Sequence, residues 1–268
     1  MFINKGEYME KLTRLFDEMW VDYLEMTPLA GKVVKILENE EQKIVNDHIA
    51  LRTVDLQNVN IDVLEKKFLE YGMTCEGEYH FPEKKLYARH YERAGYPKVF
   101  ISQLILSEMP SFVRELMEKS LENINEISDS FYYSGRKWDL SFSDYQKVYK
   151  ESEYAAWLLA IGYRPNHFTI NVNALTKFPK LKKLNEFLLS KKIALNTSGG
   201  EIKGSPEQYL EQSSTLADKI SVQFTDGEFE VPSCYFEFAK RYPQSNGKLF
   251  EGFVATNADK IFESTNIN

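Results

Sequence analysis

The chain has 268 residues, 43% of them hydrophobic and 14% aromatic, and a formal net charge of −7. That is enough apolar material for a packed core in one large or two small domains, and the acidic balance, with only short scattered lysine clusters, argues against nucleic acid as the main partner. Cys75 and Cys234 have neither zinc-motif nor disulfide spacing, so a reducing cytosol is the expected compartment; no apolar run approaches the roughly 20 residues of a spanning helix, so no membrane association is expected.

From about Lys5 to Asn39 apolar residues recur at helical spacing (Leu12, Leu15, Phe16, Met19, then Val33, Val34 and Leu37), broken at Thr27-Pro28, which predicts two lead-in helices over 1–40. Asn46–Thr53, NDHIALRT, reads as a strand that sends His48, Ala50 and Arg52 to one face and Asp47, Ile49 and Leu51 to the other. Ile61, Leu64, Phe68 and Leu69 then fit a helix ending at Gly72. Short strands follow around Thr74–Tyr79, Lys85–Glu92 and Lys98–Leu104, giving a β-α-β-β-β module over 41–108. Residues 109–163 turn to long helical periodicity, a helical insertion.

A second module with a tail is expected over 164–268. Asn166–Asn173, NHFTINVN, is a strand placing His167, Thr169, Asn171 and Asn173 on one face, and a helix follows over Lys177–Lys191. His48 to Leu64 spans 64−48 = 16 positions and His167 to Leu184 spans 184−167 = 17, the matched spacing that an internal duplication leaves. After the turn-rich TSGGEIKGSPE and an intervening LEQSSTLAD, strands are expected at Lys219–Phe224 and Val231–Ala239, joined at Thr225-Asp226-Gly227. Within the polar-faced strand YFEFAKR, Tyr235–Arg241, Glu237 lies between Phe236 and Phe238. The fold class is therefore α+β, with paired β-α-β-β-β modules.

His48, His167 and Glu237 together make the ligand set of a two-His, one-carboxylate metal site. Three protein ligands leave positions for substrate and O2, the arrangement of non-heme Fe(II) oxygenases, and Mn, Co, Ni or Zn suit the same set. The ordinary reading is two isolated histidines on half-buried strands; against it, the chain has four histidines and two of them begin matching strands of matching modules. Glu228 and Glu230 sit beside the hairpin turn, whereas Glu237 lies deep in an aromatic strand, where a carboxylate is costly unless paired with a residue such as Arg241 or bound to metal. Arg52 offers a planar fork to an acidic substrate, about 13 Å along the strand from His48, with a salt bridge as the plain alternative. His90 is a candidate substrate contact and His80 falls at a strand end. Gln103 is expected to hold in the first module roughly the position of Glu237 in the second. Ser213, with Ser214 and Thr215, either caps a turn or hydrogen-bonds a substrate carboxylate.

The runs DHIALRT, NHFTINVN, LEQSSTLADK, YFEFAKR and LFEGFVATNADKIFE together resemble the 2-oxoadipate dioxygenase/decarboxylase (hydroxyglutarate synthase) family, over most of residues 40–264. The resemblance implies a fold of vicinal oxygen chelate type, a curved mixed sheet around a metal. It implies Fe(II) held by His48, His167 and Glu237, and Arg52 on a substrate carboxylate. It also implies a small 2-oxo acid and O2 as partners, with 2-oxoadipate converted to 2-hydroxyglutarate and CO2. Two other outcomes fit the same residues: an isomerase or lyase with a non-redox metal, and a binding module without turnover.

Overall fold

The computed structural model describes residues 5–254. Helix α1 (Lys5–Met26) gives way to α2 (Pro28–Asn39) at the expected break, since Pro28 supplies no amide hydrogen for α1 but starts α2 well. Leu12, Leu15, Met19 and Tyr23, at three- and four-residue spacing, form the buried stripe of α1.

The first module is β1 (Asn46–Val54), α3 (Ile61–Glu70), β2 (Thr74–Phe81), β3 (Leu86–Glu92) and β4 (Lys98–Leu104). Helix α3 is capped by Asn60, which accepts from the Val63 amide, and the chain leaves it through Gly72 at φ +81°, a left-handed position suited to glycine. Three helices follow, α4 (Ser111–Leu121), α5 (Phe142–Glu151) and α6 (Glu153–Ile161). The second module is β5 (Pro165–Asn171), α7 (Leu181–Ser190), β6 (Lys203–Ser205), β7 (Leu210–Ser214), the hairpin β8 (Lys219–Phe224) and β9 (Gly227–Pro232), and β10 (Glu237–Arg241).

One eight-stranded mixed sheet runs β2-β3-β4-β1-β5-β10-β7-β6, and β8 with β9 forms a separate two-stranded sheet. Reading outward from its centre, each half runs first, last, third and second strand of its module. In each half the first and last strands pair parallel and the others antiparallel. The two halves meet where β1 and β5 pair antiparallel, with Ala50 opposite His167 and His48 opposite Thr169.

β1 is buried along almost its whole length, so its alternation separates two interiors rather than core from solvent. One face carries Ile49 and Leu51, continued on β5 by Phe168 and Ile170. Trp20 and Tyr23 of α1 pack on Phe168 at 4.9 and 5.0 Å between ring centroids. The other face carries His48, Ala50 and Arg52.

Several expectations are corrected. LEQSSTLAD holds strand β7, and the run expected at 231–239 is two strands, interrupted at Ser233–Phe236. Asn173 falls beyond β5, in a turn, where its side chain both donates to and accepts from the Arg241 backbone and so fixes the end of β10. Of the LFEGFVATNADKIFE segment, residues beyond 254 lie outside the described residues.

Candidate metal centre

His48 from β1, His167 from β5 and Glu237 from β10 project onto one face at the seam of the two halves. Each offers one ligand atom, and these atoms all lie within 4.8 Å of one another. Glu237 Oε1 is 3.6 Å from His48 Nε2, and Oε2 is 3.4 Å from His167 Nε2. The imidazole centroids are 5.7 Å apart and nearly perpendicular, at 83°. All three side chains are buried.

Each ring is held from behind by the residue before it. His48 Nδ1 donates to Asp47 at 2.8 Å, since an ionised carboxylate can only accept; His167 Nδ1 lies 3.1 Å from Asn166 Oδ1. This leaves both Nε2 atoms as acceptors toward the seam, as metal-ligating histidines require, with that of His48 accepting from Thr169 Oγ1 at 3.0 Å. Asp47 is fixed by Arg241, whose Nε and Nη2 donate to its two oxygens at 2.7 and 2.8 Å. Burial opposes its charge, but the Arg241 guanidinium and His48 hold the Asp47 carboxyl below the usual carboxylate range. The ion pair weighed in the sequence for Glu237 is thus made by Asp47 instead.

Burial pushes the Glu237 carboxyl up to about 8, with Asp47 adding to the rise and the Gln212 amide, donating at 2.5 Å, opposing it. Burial also lowers both imidazoles, His167 well below the usual value, so both are neutral. Two neutral imidazoles and one carboxylate that lacks a counter-charge fit a divalent cation, which would stabilise the ionised form of Glu237.

Arg52 shares this face and is buried. Its Nη1 donates to Glu153 at 3.1 Å, and its guanidinium carbon lies 4.7 Å from the Tyr154 ring centroid and 5.0 Å from that of Trp157, both on α6. Among the described residues neither Nε nor Nη2 has a hydrogen-bond partner. One guanidinium edge is anchored and the opposite edge, matched to the two oxygens of a carboxylate, is free. His90 is also on this face, bonded to Tyr79 and Glu92 at 2.9 Å each, with Phe253 between it and His48. His80 is exposed against Tyr87.

Two candidates point the other way. Gln103 accepts from the Ile61 amide at 2.9 Å and so caps α3; it pairs with Thr53, on the helix-covered face. Ser213 donates to Asn185 of α7 at 2.8 Å. Residues opposite each other across a ladder share a face, which puts Ser213 with Phe238 and Gln212 with Ala239 on the Glu237 side. Gln212 and Asp47 are the contributors the sequence did not single out. The trace of Asp47 lay in its place: an Asp and an Asn stand immediately before the two histidines of the two modules.

A sheet built from two β-α-β-β-β copies, with side chains able to ligate a metal converging from its central strands, has a fold of vicinal oxygen chelate type. The family model described as 2-oxoadipate dioxygenase/decarboxylase matches residues 1–133 and 117–248. The Arabidopsis thaliana chloroplastic 2-oxoadipate dioxygenase/decarboxylase is 36% identical, over 92% of this chain and 76% of its own length. The crystal structure of the Oryza sativa hydroxyglutarate synthase in complex with 2-oxoadipate superposes with a TM-score of 0.92 at 31% identity, covering 98% of this chain and 94% of that one. A Shewanella frigidimarina structure provisionally called a hydrolase is 47% identical, with a TM-score of 0.87, covering 91% and 97% of the two chains. The chain belongs to the 2-oxoadipate dioxygenase/decarboxylase family.

Proposed function

We propose that the chain is an Fe(II)-dependent dioxygenase/decarboxylase that converts 2-oxoadipate and O2 to 2-hydroxyglutarate and CO2. The convergence of two neutral imidazoles and one buried carboxylate carries this reading, together with relatives named for that activity. Both atoms of O2 are accounted for in the two products, so no second organic substrate is required. Bound iron would supply Lewis acidity toward the 2-oxo acid and the electrons for O2 chemistry.

The residues of the chain do the rest. His48, His167 and Glu237 hold the ion, with Asp47 and Asn166 fixing the imidazole orientation. Arg52 presents its free Nε–Nη2 edge to the far carboxylate of the acid, and its anchoring by Glu153, Tyr154 and Trp157 sets that edge before substrate arrives. Burial of the whole group excludes water from the reacting atoms. The free thiols of Cys75 and Cys234 suit a reducing compartment. Oxygen uptake by Fe(II)-loaded protein should depend on 2-oxoadipate and release one CO2 per O2. Turnover under nitrogen, or with Zn(II) in place of iron, refutes the assignment.

A further inference from the structure

Among the described residues, the buried donors left without a partner include the hydroxyl of Tyr235. Tyr235 lies between β9 and β10, with its ring against the His167 imidazole at 4.6 Å between centroids and 26° between planes. Its side chain is fully buried, yet among the described residues its hydroxyl has no hydrogen-bond partner. Buried hydroxyls are rarely left so, because losing water without replacing its hydrogen bond is unfavourable.

The backbone on either side of the ring is held in place. Tyr23 donates to the Tyr235 carbonyl at 2.5 Å, the Phe236 amide donates to Thr215 Oγ1 at 3.0 Å, and Trp157 donates to the Ser233 carbonyl at 2.7 Å. Trp157 is also the ring lying over Arg52, so one side chain ties the Tyr235 segment and the arginine into a single unit. Burial dominates the environment of the Tyr235 oxygen, and the charges acting on it include those of Glu237, Arg52 and Glu153.

We propose that Tyr235 is a further substrate-binding residue, whose hydroxyl donates to the same carboxylate that the free edge of Arg52 receives. The inference rests on the reading of the chain as a 2-oxo acid enzyme. Arg52 Nε, Arg52 Nη2 and the Tyr235 hydroxyl are three buried donors without a partner among the described residues, on segments tied together through Trp157. A carboxylate offers about four acceptor positions on two oxygens and satisfies all three at once. A single water cannot, since it accepts only two hydrogen bonds.

Tyr235→Phe keeps the ring and its stacking on His167 and deletes only the oxygen. Wild type and variant, loaded with Mn(II) under nitrogen, are titrated calorimetrically with 2-oxoadipate and with 2-oxohexanoate, which has the same length without the far carboxylate. The variant should bind 2-oxoadipate roughly tenfold more weakly, the scale of one hydrogen bond to a charged group. It should bind 2-oxohexanoate and Mn(II) as the wild type does. Its melting temperature without ligand should be unchanged or higher, because the deleted hydroxyl was unpaired, whereas a purely structural role would lower it. Equal 2-oxoadipate affinity in the two proteins, or an equal loss with both acids, overturns the proposal. Failure of the wild type to bind either acid overturns the parent reading, and this one with it.

Discussion

Replacing Glu237 by Gln should stabilise the metal-free protein at neutral and alkaline pH while abolishing its metal binding. Burial raises the Glu237 carboxyl from 4.5 to about 8. The folded chain therefore keeps a proton that the unfolded chain releases, so this group's contribution is fully present below 4.5 and is lost as pH rises through 8. At about 1.36 kcal/mol per pKa unit, the loss is roughly 3 kcal/mol at pH 7 and about 5 kcal/mol well above pH 8. A glutamine is neutral throughout, and its side-chain oxygen can still accept the amide of Gln212. The lowered imidazoles act oppositely: the unfolded histidines take up protons below about 6.5, so their stabilisation fades as pH falls. Both proteins share that effect, and it cancels in the difference. Urea unfolding of EDTA-treated wild type and variant between pH 5 and 9 should give a gap of about 1 kcal/mol or less at pH 5, widening to several above pH 8. Added Mn(II) should stabilise only the wild type. A gap independent of pH, or a variant less stable than wild type at pH 8, refutes the claim that Glu237 is a carboxylate stranded without its cation.

Asp47→Asn leaves the Arg241 charge buried without its carboxylate. It should cost about 3–5 kcal/mol in denaturant unfolding and weaken metal affinity by 10–100-fold in a competition titration. Arg52→Lys keeps the charge but loses the two-toothed edge, so KM for 2-oxoadipate measured by oxygen uptake should rise at least tenfold, with kcat less affected. Gln103→Ala should lower stability by about 1 kcal/mol through the lost bond to the start of α3, and leave KM unchanged; a raised KM would return Gln103 to the pocket.

The strand alternation was readable wherever one face is apolar, which is why NDHIALRT and NHFTINVN were placed with both histidines on one surface. The duplication showed in the nearly equal spacing of histidine and helix. Strand β7 did not show, because its polar residues are satisfied inside the protein: Ser213 by Asn185 and Gln212 by Glu237, contacts that only the folded sheet supplies. A buried polar strand and a surface loop have the same composition. Asp47 was assigned to the wrong surface because regular alternation fails at the irregular register between Asn46 and His48. Tyr235 lies in a stretch without strand pairing, where no periodicity says which way a side chain points.

The register also explains why the duplicated halves bring together three candidate ligands and not four. Glu237 stands opposite Thr169, two residues beyond His167. The same step from His48 reaches Ala50, whose neighbour on β4 is Phe100, so Phe100 rather than Gln103 is the counterpart of Glu237. Phe100 is buried against Tyr79 and Phe253, and Phe253 in turn meets the His48 ring at 4.8 Å. A phenyl ring cannot ligate, so one half contributes a histidine and an aromatic wall while the other contributes a histidine and a charge. Two neutral imidazoles and a single carboxylate leave a divalent cation with one positive charge unmatched. In a buried site that surplus favours an anionic chelating acid strongly. A second glutamate at position 100 would cancel the surplus. The asymmetry between Glu237 and Phe100 thus gives a symmetric fold a site whose charge suits an acid.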